Sequence, residues 1–210
     1  MAASTLRRSF VQEPIQATAG PADLPHLALL DLSLLPRTGF KGRGTPEWLE
    51  GQGLLLPEPN RAKRQTDGSL AVRLAPREVL VLAPWLGAAG GLAERLNAAW
   101  PESRAASSAC GYPLPRADSH FWFLLTGGLV PPTLAKLCGV DFRVERFAPL
   151  QVAQTQAARL SVIIIRDDTA LPAWHLLADS ASADYVWTCL TDAMQEFGGK
   201  QAGPEALQGI

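Results

Sequence analysis

Apolar residues along the chain switch between two spacings, and the order of the switches sets out the elements. His26 to Leu32 is a short apolar run, read as an edge or a swapped strand. From Asp31 to Glu50 the pattern predicts strand, tight turn and helix. Gly42-Arg43-Gly44 forms the turn, Thr45 is placed as N-cap, Pro46 suits the first helical position, and Glu47 faces the positive end of the helix dipole. Gly51 to Asn60, with leucines set between glycine and prolines, reads as a connection. Leu70 to Leu74 and Glu78 to Ala83, joined through Ala75-Pro76-Arg77, predict two adjacent antiparallel strands, the second apolar enough to be central. Leu92, Leu96 and Trp100 fall on one helical face that Pro101 ends, and the small residues Ala105 to Gly111 suit a closing strand.

The second half repeats the theme. Ser119 to Thr126 reads as a strong strand, Gly127-Gly128 as a turn, and Pro131 to Cys138 as a short helix ending at Gly139. Val152 to Arg159, Ser161 to Arg166 and Ala173 to Ala178 are strands, with a turn at Asp167-Asp168 between the last two. Val186, Leu190, Met194 and Phe197 stripe a final helix, capped by Asp179 or Ser180 and stopped by Gly198-Gly199. Phe40-Lys41-Gly42 aligns with Leu125-Thr126-Gly127, and Ala71 to Leu74 with Ala157 to Leu160, at offsets that agree within one residue. Each half therefore reads roughly β-α-β-β-α, with a closing strand only in the first. This predicts an α+β class with duplicated ferredoxin-like halves. Residues 1–24 are expected to be an irregular arm. Residues 25–199 form a single domain divided at about 116/117, and residues 200–210 are expected to trail as a loose tail.

Composition narrows the function. The chain has 210 residues, 47% hydrophobic and 19% charged, so it can bury a substantial core. A formal charge of −1 gives no global pull toward nucleic acid. Arg7-Arg8-Ser9-Phe10 looks superficially like an export signal, but no apolar segment follows, and no run approaches the roughly 18 apolar residues of a membrane span. We expect a cytoplasmic chain with neither nucleic acid nor membrane as partner. Cys110, Cys138 and Cys189 are too scattered for a disulfide framework or a zinc knuckle and read as buried free thiols. Arg61, Lys63 and Arg64, just before the hairpin signal Asp67-Gly68, read as a solvated loop.

Candidate chemistry is sparse. His26, His120 and His175 lack metal-ligand spacing, and His120 and His175 fall in strands, where a hydrogen-bonded structural histidine is expected. No nucleophile elbow, phosphate-binding loop or dinucleotide fingerprint is present; Gly42-Arg43-Gly44 is a lone G-x-G. Adjacent Asp167 and Asp168 point to opposite faces, which does not suit a shared catalytic task. We expect no catalytic, cofactor-binding or metal residues. Arg37, Lys41, Arg43, Trp48 and Trp174 are candidates for contacts with a partner.

A longer series of residues carries a resemblance. Asp31-Leu-Ser, Arg37-Thr-Gly-Phe-Lys-Gly42, Tyr112-Pro113, Pro115-Arg116, Asp118-Ser119-His120, Leu124 to Gly127 and Ala135 to Cys138 follow one another in order. Gln154-Thr155, Ala158 to Leu160, Ala178 to Trp187 and Glu196 to Gly198 continue it. Over about Asp31 to Gly199 the sequence resembles the gamma subunit of heterotetrameric sarcosine oxidase. That resemblance implies a folate-binding-like α+β fold related to the aminomethyltransferase of glycine cleavage. It implies a non-catalytic subunit of a complex that oxidatively demethylates sarcosine or a related N-methyl amine. The partners would be larger flavin-containing alpha and beta subunits and a small delta subunit. FAD, FMN, NAD and tetrahydrofolate would sit on those other chains. The alternative is a free-standing tetrahydrofolate-binding, aminomethyltransferase-like protein, although Arg43-Gly44 stands where related iron–sulfur maintenance proteins carry Cys and Tyr.

Overall fold

The computed structural model describes residues 8–12, 15–16, 19–87, 91–106 and 110–208, without the side chains of 101–106. The first half contains β2 (Arg37–Arg43), α1 (Thr45–Gly51), β3 (Arg61–Arg64), β4 (Leu70–Ala75), β5 (Glu78–Leu82), α2 (Leu92–Ala106) and β6 (Cys110–Leu114), preceded by β1 (Ala28–Asp31). The second contains α3 (Arg116–Ser119), β7 (His120–Thr126), α4 (Val130–Ala135), β8 (Val152–Ala157), β9 (Leu160–Arg166), β10 (Ala173–Asp179), α5 (Ala183–Gln195) and β11 (Lys200–Ala202). Two sheets result, ordered β3-β4-β5-β2-β6 and β11-β1-β7-β10-β9-β8. Every pairing is antiparallel except β1 with β11.

Alternation of side chains explains the layering. Along β5, Val79 and Val81 pack with Leu49 of α1 and with Leu92, Leu96 and Trp100 of α2, while Leu80 and Leu82 face the other sheet. Along β7, Phe121, Phe123 and Leu125 join a core containing Val130 and Leu134 of α4 and Val186, Leu190 and Met194 of α5. Trp122 and Leu124 turn to the opposite side and meet Leu80 and Leu82. The sheets thus lie face to face with helices outside both. A strand buried on two faces shows no polar alternation, which is why β5 and β7 read as unbroken apolar runs.

Several expectations change. β1 is not an edge: it lies between β7 and β11, within the sheet of the second half. Arg61–Arg64 is an edge strand rather than a loop, since it pairs with β4 through a turn in which Asp67 accepts from the Ser69 amide. Thr45 is the first helical residue and Gly44 the N-cap; the Thr45 side chain turns toward Gly111 and makes no capping bond. Helix α2 runs through Pro101 to Ala106, so the missing proline N–H does not stop it, and the closing strand moves to Cys110–Leu114. The predicted strand region 107–109 lies outside the described residues. The match of Ala71–Leu74 with Ala157–Leu160 fails, because the first lies inside β4 and the second spans the β8–β9 turn, where Ala158 and Arg159 are left-handed. Gly42 lies within β2, one residue before its end, and Gly127 just past β7, with φ of 121° and 105°.

The expected loose tail is ordered, since β11 pairs with β1 and Pro204–Leu207 form a 3-10 turn whose Ala206 is buried. The described residues of the expected arm include a 3-10 turn at Pro21–Asp23 and are held against the rest of the chain. Val11 joins the helix-side core, the Ser9 hydroxyl donates to Asp31, and the Ala19 amide donates to the Gln201 carbonyl at 2.9 Å. At the opposite margin the edge strands meet: Ala62 N–H donates to the Leu150 carbonyl at 2.7 Å and Val152 N–H to the Asn60 carbonyl at 3.1 Å.

Candidate functional site

The space between the sheets is filled at one end by Leu70, Leu82, Trp122 and Leu124, and opens at the other into a cavity of about 710 Å³. Glu78 of β5, Arg116 of α3 and His120 of β7 form its polar end. Leu74, Ile163 and Leu177 supply apolar wall, with Gln154, Gln156 and Ser161 adding neutral polar groups. The polar end is a chain of bonds. Lys41 Nζ lies 2.7 Å from one Glu78 carboxylate oxygen, and Arg116 Nη2 donates to the other. Arg116 Nη1 donates to His120 Nε2 at 2.7 Å, so the imidazole proton resides on Nδ1, which donates to Ser119 Oγ at 2.9 Å.

Packing holds Arg116 in place. A Cβ on Gly39 of β2 would stand 2.9 Å from Arg116 Cγ, so only glycine leaves room for this side chain. Burial, and then the charge of Arg116, push the His120 pKa down to about 4. At neutral pH both ring nitrogens are therefore engaged, and the imidazole has no free lone pair with which to take a proton from a substrate. The arrangement can recognise a ligand, but it does not present a poised base.

A second polar cluster ties the sheets together. Asp167, almost fully buried, accepts from Arg64 at one oxygen and from Trp85 Nε1 (2.9 Å) and His175 Nε2 (3.2 Å) at the other. Trp122 Nε1 donates to His175 Nδ1 at 3.0 Å, which fixes the histidine proton on Nε2. Burial opposes the Asp167 charge, but the His175 hydrogen bond and the Arg64 guanidinium outweigh it and hold the carboxyl well below the usual range. Asp168 turns away and pairs with Arg166, as adjacent positions at a strand end require. This cluster is internal architecture, with every group satisfied inside the chain.

The five candidate contact residues do not form one surface. Arg37 is buried, its guanidinium donating to the carbonyls of Ser33, Leu35, Ala117 and His120, so it braces the chain instead of meeting a partner. Trp174 is wholly buried in the helix-side core, with the Arg166 guanidinium 5.6 Å from its ring. Both are corrected as contacts, since neither has surface to offer. Lys41 keeps about half its side chain exposed, Arg43 is exposed beside Cys110, and Trp48 is partly exposed while packing on Phe40 and Trp100. The sequence reading missed the Arg116–Glu78 pair and the role of Trp85. Arg116 carried one signal, its place beside Asp118-Ser119-His120, but Glu78 is distant in sequence. Among the described residues no group of three or more His, Cys, Asp or Glu is placed to hold a metal, and no helix is long and apolar enough to cross a membrane.

Two face-to-face sheets with outer helices place the chain in a class of mixed α+β folds that known structures share. A chain of heterotetrameric sarcosine oxidase from Corynebacterium sp. U-96, solved with pyrrole 2-carboxylate, matches at a TM-score of 0.71 and 20% identity, over 91% of this chain and 96% of that one. The glycine cleavage system aminomethyltransferase T from Bartonella henselae matches at a TM-score of 0.61 and 18% identity, over 88% of this chain and 50% of that one. At such identities the likeness establishes the fold, an aminomethyltransferase-like one. No protein-family model and no curated protein sequence matches the chain.

Proposed function

We propose that the chain is a gamma-type, non-catalytic subunit of a heteromeric, flavin- and folate-dependent oxidase that demethylates sarcosine or a related N-methyl amine. The observation that carries this reading is the extent of the fold match. It spans nearly the whole of this chain and of a single chain of a heterotetrameric sarcosine oxidase, whereas the aminomethyltransferase is twice as long as the matched region. The series of residues from Asp31 to Gly199 that resembles gamma subunits supports it independently. So does the chemistry of the two polar clusters, whose histidines have both nitrogens engaged. FAD, FMN, NAD and tetrahydrofolate belong on the other subunits in this reading, and the complex works in the cytoplasm.

The scaffold itself fits a duplication of ferredoxin-like halves. In the first sheet β4-β5-β2-β6 has the order of a split β-α-β unit, with β3 added at the edge. In the second, β9-β10-β7 repeats that order with β8 added, and β1 occupies the fourth place. Contacts with the large alpha and beta subunits and the small delta subunit would use Lys41, Arg43 and Trp48, which retain surface. Tyr112, opposite Lys41 on edge strand β6 and about half exposed, extends that area.

Purification under native conditions from the source cell tests the reading. We expect larger, flavin-absorbing subunits to accompany the chain, and no oxidation of N-methyl amines by the chain alone. A monomer without such companions, or turnover by the isolated chain, overturns it.

A further inference from the structure

We propose that the cavity between the sheets binds a small organic acid, its carboxylate seated against Arg116 and its apolar body against Ile163. A volume of about 710 Å³ lies within the range of small-molecule sites. The division of the wall selects the class of ligand. Glu78 is bracketed by Lys41 and Arg116, so the three groups together carry a net positive charge, which repels an incoming amine and attracts an acid.

Arg116, in contrast, retains donors. A guanidinium has five N–H groups; the bonds to His120 and Glu78 take one from each terminal nitrogen, and Nε is buried without a partner beside Gly39. One N–H on each terminal nitrogen remains for a carboxylate, the group a guanidinium fork fits best. Ile163, partly exposed on β9, offers apolar surface to the body of the acid, beside the neutral side chains of Gln154, Gln156 and Ser161.

This site is independent of the assembly role proposed above: a chain that binds the acid but never joins larger subunits keeps the site and loses that role. The test uses the full chain, with 3-phenylpropionate, its neutral isostere 3-phenylpropanamide and the cation 3-phenylpropylamine as probes, followed by NMR. We expect the acid to shift the His120 ring and the Ile163 methyl signals saturably. The amide should bind at least about tenfold more weakly, and the amine should leave those signals unmoved. Arg116→Gln should erase the preference for acid over amide. Ile163→Trp fills the cavity without touching the ion network, and should block both probes even if Arg116→Gln fails to fold. Absence of a saturable shift, equal binding of acid and amide, or unchanged binding in Ile163→Trp overturns the proposal.

Discussion

Gly127 occupies a position that no other residue type can fill. Its φ of 105° lies where L side chains rarely go, and a Cβ there would collide with the His26 carbonyl. Gly127→Ala should cost about 2–4 kcal/mol, whereas Gly128→Ala, whose nearest neighbour would be 4.0 Å away, should stay within about 0.5 kcal/mol. Denaturant titration of the two variants checks the contrast. Asp167 sets a second residue-scale expectation. Its carboxyl is held below the unfolded value of about 3.9, so its contribution is complete above that pH and is lost as the pH falls below it. Removing the carboxylate in Asp167→Ala strands the buried Trp85 and His175 donors and should cost about 3–5 kcal/mol at neutral pH. The variant should also show a shallower fall of stability between pH 4 and 2 than the parent, in chemical denaturation across that range. A parallel pair of pH curves would remove Asp167 as the source of that acid limb.

Elements were legible where a local pattern determines them, and hidden where a distant partner does. The stripe of α5 and the apolar runs of β5, β7 and β9 announce themselves because burial on one helical face, or on both faces of a strand, leaves a periodic mark. β3 was hidden because Arg61, Lys63 and Arg64 carry the polar side chains of an edge strand, and only pairing with β4 orders them. The places of β1 and β11 were hidden for a related reason, since their neighbours come from opposite ends of the chain. The candidate site was least legible: Glu78 meets Arg116 and His120 only through the fold, and Arg37 looked like a surface cation because nothing local foretells its bonds to the Ala117 and His120 carbonyls. The arm also owes its place to distant contacts. Ala19 and Gln16 bond to Gln201 on the outer side of β11, and Val11 fills the helix-side core. Deleting residues 1–20 should therefore expose the β11 edge, lower the melting temperature and promote concentration-dependent association. Thermal melts and sedimentation at several concentrations measure both effects, and an unchanged melt with a monomer throughout would show that the arm is only an ornament.

At the scale of the molecule, the path of β1 makes the two halves inseparable. Its Leu29 joins the core beneath α4 and α5, while Leu30 joins the core between the sheets. It also separates β7 from β11, so residues 117–208 alone lack the strand on which both of these pair. The inter-sheet core and the Arg64–Asp167–His175 cluster further require both sheets at once, as does the junction of β3 with Leu150. A chain whose halves each closed on themselves would melt in two steps; this one should not. We expect far-ultraviolet circular dichroism and tryptophan fluorescence to report one coincident unfolding transition for the whole chain. A fragment spanning 117–208 should remain without a cooperative melt, because β7 then presents an unpaired apolar edge. Extending that fragment with a peptide of residues 24–36, linked after Gln208, should restore a transition, since it returns β1 to its place between β7 and β11. A cooperative melt of the bare fragment would show instead that the second half is a domain in its own right, with β1 an addition to it.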